Sequence, residues 1–248
     1  MVVGGCGWLC RATCTFHRIN KNEQAKKMLV VFDCESDCSF LECAGTSHDD
    51  KICHMRATVV CALEISDEVP TKHTEHTFWV DDERDDGDSA PFERLFTLFD
   101  KADVIVAYNG LDFDLPLLRK HYKNFVRYVD HRSKVLDPFA NIRSVTGRWV
   151  KLDELLKKNG LAAKSGDGLM AINLWRDGSQ EARDKLEEYC RGDVRQLYEL
   201  IGLSSIKMPS TQGPSITLPR RVFAPPQRCQ CCHEAVMVGE EPFVVVEH

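Results

Sequence analysis

Three runs in the first third of the chain carry their apolar positions the way β-strands do. Met28-Leu-Val-Val-Phe-Asp33 is short, apolar and β-branched, as is Ala57-Thr-Val-Val-Cys-Ala-Leu63, while His76-Thr-Phe-Trp-Val80 alternates. Their closeness in sequence predicts an antiparallel meander. The period then changes. Phe92, Leu95, Phe96 and Phe99 recur at steps of three and four, predicting a helix, and Ala102-Asp-Val-Ile-Val-Ala107 returns to a buried strand. A helix that feeds a strand is the mark of an α/β domain.

Asn109-Gly110 signals a turn, and Pro116 suits the first turn of a helix running through Leu117, Leu118 and His121, which puts Asp114 at a strand-to-helix junction. Lys134-Val-Leu-Asp137 predicts a last short strand. Beyond it, Leu152, Leu155 and Leu156 form a helical stripe that Asn159-Gly160 can end, and Leu169, Ile172 and Trp175 suggest another. From Ser179 a longer pattern passes through Leu186, Cys190, Val194, Leu197 and Ile201, with Gly192 as the expected bend and Tyr189 and Asp193 on the polar face. The expected organisation is therefore one domain at 29–205. It follows an extension at 1–28 without periodicity and precedes a Pro-rich, Cys-containing tail at 206–248.

A chain of 248 residues with 43% hydrophobic content can form one substantial core. No stretch reaches the roughly 18 consecutive apolar residues of a membrane span, and the first residues lack a signal peptide's order. A soluble, intracellular protein without a membrane partner is expected, its compartment open. The twelve cysteines are scattered through strand and helix interiors, which fits reduced thiols better than a disulfide framework. A formal charge of −6 does not advertise a nucleic-acid partner, but its distribution changes the picture. Between Leu115 and Gly160 eleven Lys or Arg face four acids, whereas Asp81, Asp82, Glu83, Asp85, Asp86 and Asp88 concentrate negative charge in an exposed connection.

In Asp33-Cys-Glu35 a strand's period of two puts both carboxylates on one face. Like charges so close repel unless a cation sits between them, and oxygen-only ligands favour hard ions such as Mg²⁺ or Mn²⁺. A solvated strand end is the competing reading. Tyr189 and Asp193, four apart on the long helix, point a phenol and a carboxylate the same way. A half-buried tyrosine beside a surface acid is the bland alternative there.

Taken in order, Val31-Phe-Asp33-Cys-Glu35, Ala107-Tyr-Asn109-Gly-Leu-Asp-Phe113-Asp114-Leu-Pro-Leu and Tyr189-Cys-Arg-Gly-Asp193-Val resemble the three motifs of the DEDD superfamily of 3′→5′ exonucleases. The resemblance spans about Leu29 to Leu203, lies in the tyrosine-bearing (DEDDy) subgroup, and is similar to the proofreading domains of family B DNA polymerases and their stand-alone relatives. It implies an α/β, ribonuclease-H-like fold: a mixed β-sheet, an antiparallel meander plus parallel strands, flanked by helices. It further implies that Asp33, Glu35, Asp114 and Asp193 hold two divalent ions, Mg²⁺ or Mn²⁺, about 4 Å apart, and that Tyr189 orients or helps to deprotonate the attacking water. The second motif selects Asp114 over Asp112, two residues away. Single-stranded nucleic acid would be hydrolysed from its 3′ end to nucleoside 5′-monophosphates, DNA ahead of RNA.

Asn109 and Phe113 are candidates to touch the terminal nucleotide, equally well read as a turn former and a core aromatic. Arg119, Lys120, Lys123, Arg127, Arg143 and Arg148 are candidates to track phosphates, although a solvated charge is the plainer reading of any single one. Three other functions stay in view: an RNA-specific exonuclease, an internally cutting resolvase of the same fold, against which Tyr189 speaks, and a catalytically silent module that binds nucleic acid or protein. No polymerase or helicase partner is identified. Cys229, Cys231, Cys232 and His233 form the tightest soft-ligand cluster, which Cys6, Cys10, Cys14 and His17 could join around a zinc ion, and chance enrichment in thiols is simpler.

Overall fold

The sheet is built outward from β1 (Met28–Ser36), whose apolar run is buried on both faces. The computed structural model describes residues 28–66, 73–81, 92–162, 166, 168–209 and 215–219, and the short strands 227–228, 235–236 and 245–247. β2 (Ala57–Ser66) pairs antiparallel with β1, from Met28 opposite Ser66 to Cys34 opposite Val60, and β3 (His73–Trp79) pairs antiparallel with β2. On the other side β4 (Val104–Val106) lies parallel to β1, with Val31 level with Val106, and β5 (Val135–Leu136) lies parallel to β4. The order β3-β2-β1-β4-β5 gives the mixed sheet of a ribonuclease-H-like fold, with the expected meander as its antiparallel half.

Both faces are covered, which explains why the central strand is continuously apolar rather than alternating. Val31 faces a core formed with α6 (Leu152–Lys158), α7 (Gly168–Asp177) and the 23-residue α8 (Gln180–Gly202), which buries Leu186, Tyr189, Cys190, Val194 and Leu197. Val30, Phe32 and Cys34 face the opposite core, where α2 (Glu93–Lys101) contributes Leu95, Phe96 and Phe99 and α3 (Asp114–Leu118) contributes Leu115, Leu117 and Leu118. A single 3₁₀ turn, Arg119–His121, continues α3. α8 is one continuous helix through Gly192, where an added Cβ would meet nothing, so no close approach depends on that glycine.

Three helices were invisible to hydrophobic periodicity: α1 (His48–His54), α4 (Phe125–Ser133) and α5 (Pro138–Thr146). α1 buries only Ile52, and α4 buries Tyr128 and His131 while exposing Phe125, Val126 and Val129, so neither carries an apolar stripe. Their signals lie at their starts. Ser47 and Asp50 form a capping box, Asn124 caps α4, and Asp137 followed by Pro138 opens α5. Past residue 205 the chain does not leave the domain at once. β6 (Ser205–Lys207) pairs antiparallel with β7 (Ser215–Pro219), and Ile206, Met208 and Leu218 are buried in the α8-side core. Among the described residues eight α-helices flank the sheet, and no helix is long and apolar enough to cross a membrane. The extension at 1–27, most of the acidic connection after Asp81, and both cysteine-histidine clusters lie outside the described residues.

Candidate active site

β1, β4 and β5 run parallel, so their carboxyl ends share one edge, where open α/β sheets present ligand sites. Asp33 and Glu35 emerge there from β1 on the face that carries Val31, toward α8, while Cys34 between them joins the opposite core. Glu35 is buried, and ligand atoms of Asp33, Glu35 and Cys190 all lie within 4.8 Å of one another. α8 is seated on the strand at this point, because the Cys190 thiol meets the Asp33 carbonyl at 3.5 Å. Burial, then contact with Cys61 and the charges of Asp33 and Glu35, push the Cys190 thiol up, so it stays protonated.

Asp114 is 3% exposed, and its Oδ1 accepts the Cys34 N–H at 3.0 Å, tying the start of α3 to β1 beside both carboxylates. Burial foremost, then the charge of Asp33, drive its carboxyl well above the usual range, with the Cys34 N–H pulling the other way. Asp112 is exposed, its N–H bonded to the Asn109 carbonyl at 3.2 Å. Tyr189 and Asp193 are both buried, one turn apart on the face of α8 that holds Cys190. The backbone at Gly166 lies against the same tyrosine: an added Cβ would overlap Met170 and stand 3.4 Å from the Tyr189 ring.

The turn after β4 is set by Asn109 in the left-handed region, φ 66°, with its carbonyl accepting the Phe113 N–H at 2.9 Å. Asn109 therefore serves the backbone here, which is the turn-forming half of its two readings. Phe113 is partly buried, its ring 5.8 Å from that of Phe40. What sequence reasoning missed is Asp137. Its Oδ1 accepts N–H groups from Asn109 at 2.9 Å, Phe139 at 3.0 Å and Ala140 at 3.2 Å, and its Oδ2 accepts that of Leu111 at 3.0 Å. One buried carboxylate thus caps α5 and holds the loop that delivers Asp114. The Asp-Pro pair at a strand end was the available signal.

Among the six candidate phosphate-tracking cations, Arg127, Lys120 and Arg148 bond within the fold. Arg127 pairs with Glu93 and with Asp100 at 2.8 Å, Lys120 donates to the Met55 carbonyl, and Arg148 donates to the Pro209 carbonyl at 3.3 Å. Arg119 lies over Phe125 and Tyr128, and Arg143 over Trp149.

The sequence model of the RNase_H superfamily matches residues 58–204, more than half of the chain. The chain belongs to the RNase_H superfamily. The matched segment of this RNase_H-superfamily member holds Asp114, Tyr189 and Asp193 and begins after Asp33 and Glu35. A search of the curated proteins gives no match. Among solved structures, E. coli Exonuclease I in complex with a dT13 oligonucleotide is 14% identical, with 79% of this chain and 54% of that chain covered and a TM-score of 0.36. The same E. coli enzyme with a dA16 oligonucleotide is 14% identical, with 78% and 55% covered and a TM-score of 0.38. This chain spans about half the length of those structures.

Proposed function

We propose that this RNase_H-superfamily member is a metal-dependent 3′→5′ exonuclease of the tyrosine-bearing DEDD type, which hydrolyses single-stranded nucleic acid, DNA ahead of RNA, to nucleoside 5′-monophosphates. The observation that carries the reading is the convergence of acids from distant parts of the chain: Asp33 and Glu35 from β1, and Asp114 bonded to the backbone between them. A surface patch would not bury such groups together.

The donors suit a hard divalent ion. Asp33 and Glu35 offer oxygens within one small space, and Asp114 is buried beside them with its carboxylate on the Cys34 N–H. Asp33, Glu35, Asp114 and Asp193 would hold Mg²⁺ or Mn²⁺, which supplies stabilisation of the charge that develops on phosphate oxygens as the ester breaks. The chain's own groups do the rest. Tyr189, whose ring lies beside Gly166, would orient or help to deprotonate the attacking water, and the Cys34 N–H fixes the Asp114 carboxylate in direction.

The test is to incubate the protein and an Asp33→Ala control with 5′-labelled single-stranded DNA and RNA in Mg²⁺, Mn²⁺ or chelator, and to resolve products by length. A ladder shortening from the 3′ end, absent in the control, is expected. Internal cuts would favour a resolvase, and full-length oligonucleotide in both metals would overturn the proposal in favour of a binding module.

A further inference from the structure

An aromatic ladder leaves the carboxyl edge of the sheet and ends in solvent. Tyr108 follows β4 and packs on the α8-side core, and its hydroxyl donates to the Val150 carbonyl at 2.5 Å. Val150 is buried there, whereas Trp149 beside it is turned outward and 66% exposed. Phe139, in the first turn of α5, stands 5.7 Å from the Tyr108 ring and 5.2 Å from the Trp149 ring, centre to centre. Arg143, one turn further along α5, sets its guanidinium 3.9 Å from the centre of the Trp149 ring. The carboxylate of Asp137 that caps α5 also holds Asn109, so the ladder and the loop that delivers Asp114 hang from one anchor.

An indole kept in water forgoes the gain that burial would bring. Here it is also held in place, by Gly147 at φ 70° behind it, by the Tyr108 bond after it and by two neighbouring side chains. A fixed, exposed aromatic face is what a recognition surface presents. The surroundings decide for what. Arg143 lies on the ring, Arg148 and Lys151 flank it along the chain, and no Asp or Glu occurs from Pro138 to Leu152. A flat π-face with a guanidinium stacked on it complements a base with its phosphates, and guanidinium planes stack on bases as readily as indoles do.

We propose that Trp149, backed by Arg143, is a stacking platform for a nucleobase of the single strand whose 3′ end lies at the carboxylates. The inference rests on the exonuclease reading and adds to it a substrate contact some way behind the scissile bond. It is tested by fluorescence anisotropy of a 5′-fluorescein-labelled thymidylate 12-mer, with Ca²⁺ in place of Mg²⁺ to hold back turnover. The oligonucleotide is used intact and with one abasic position stepped inward from the 3′ end. Trp149→Ala should bind about tenfold more weakly than wild type, and Trp149→Phe should regain most of that. At one position the missing base should cost wild type about the same factor and cost Trp149→Ala nothing, because both changes remove one contact. Equal binding by wild type and Trp149→Ala, or equal abasic losses at every position, overturns the platform alone. A folded wild type that binds no 12-mer at all overturns the platform and the exonuclease reading together.

Discussion

Replacing Asp137 by alanine removes the acceptor of four backbone N–H groups from two segments, Asn109 and Leu111 after β4 and Phe139 and Ala140 in α5. Loss of a helix N-cap alone costs about 1 kcal/mol. The two loop donors add on the order of 1–2 kcal/mol each, being partly buried and bonded to a carboxylate. Burial works the other way: it raises the Asp137 pKa even against these four bonds, so part of their gain is already offset by desolvation. The expected net loss is about 3 kcal/mol, which for a chain of this size lowers Tm by roughly 6–12 °C. Asp137→Asn keeps an oxygen where Oδ1 serves three of the four donors and sets an amide against Leu111 N–H, so about 1 kcal/mol is expected. Urea unfolding followed by circular dichroism measures both, with an unchanged m-value as the sign that only native stability moved. An alanine variant within about 1 kcal/mol of wild type, or an asparagine variant as costly as alanine, would refute the reasoning.

Four further outcomes are expected. The raised pKa of Asp114 means that the metal-free fold favours its protonated form and loses stability as pH rises through that folded value. Asp114→Asn should therefore melt above the metal-free wild type at neutral pH, lose Mn²⁺-induced stabilisation, and cleave on the order of a thousandfold more slowly; a lower melting temperature without metal would count against this. Tyr189→Phe should cut the cleavage rate by about a hundredfold while Mn²⁺ still raises Tm as in wild type, a split that a merely structural tyrosine would not produce. Arg127→Met should destabilise by about 1 kcal/mol through its pairs with Glu93 and Asp100, leaving oligonucleotide affinity and its salt dependence unmoved in titrations at several ionic strengths. Burial, then the charge of Lys120, lower His121 to about 4, so its contribution to stability is present above about pH 6.5 and is lost as pH falls through 4. Melting curves should show this acid loss in wild type and less of it in His121→Gln; parallel curves would exclude His121 as its source.

Apolar patterning foresaw β1, β2, β3, β4, α2, α6, α7 and α8, because their own residues carry the period of a strand or helix, turn and proline signals foresaw α3, and β5 was expected in Lys134-Val-Leu-Asp137. For the same reason the shared face of Asp33 and Glu35 could be read directly from a strand's alternation. The pairing of Tyr189 with Asp193 followed likewise from one helical turn. The helices α1, α4 and α5 escaped this reading, since their local evidence is a cap rather than a stripe. Only the tertiary structure decided which acid of the second motif is buried beside β1, because Asp112 and Asp114 differ in a hydrogen bond to Cys34 that spans 80 residues. It alone brought Cys190 against Asp33, spent Arg127 on Glu93 and Asp100, drew Ile206, Met208 and Leu218 into the core, and left Trp149 outside. Local periodicity specifies which side of its own element a residue occupies. What that side meets depends on strand order and helix docking, which are settled by contacts between segments far apart in the chain.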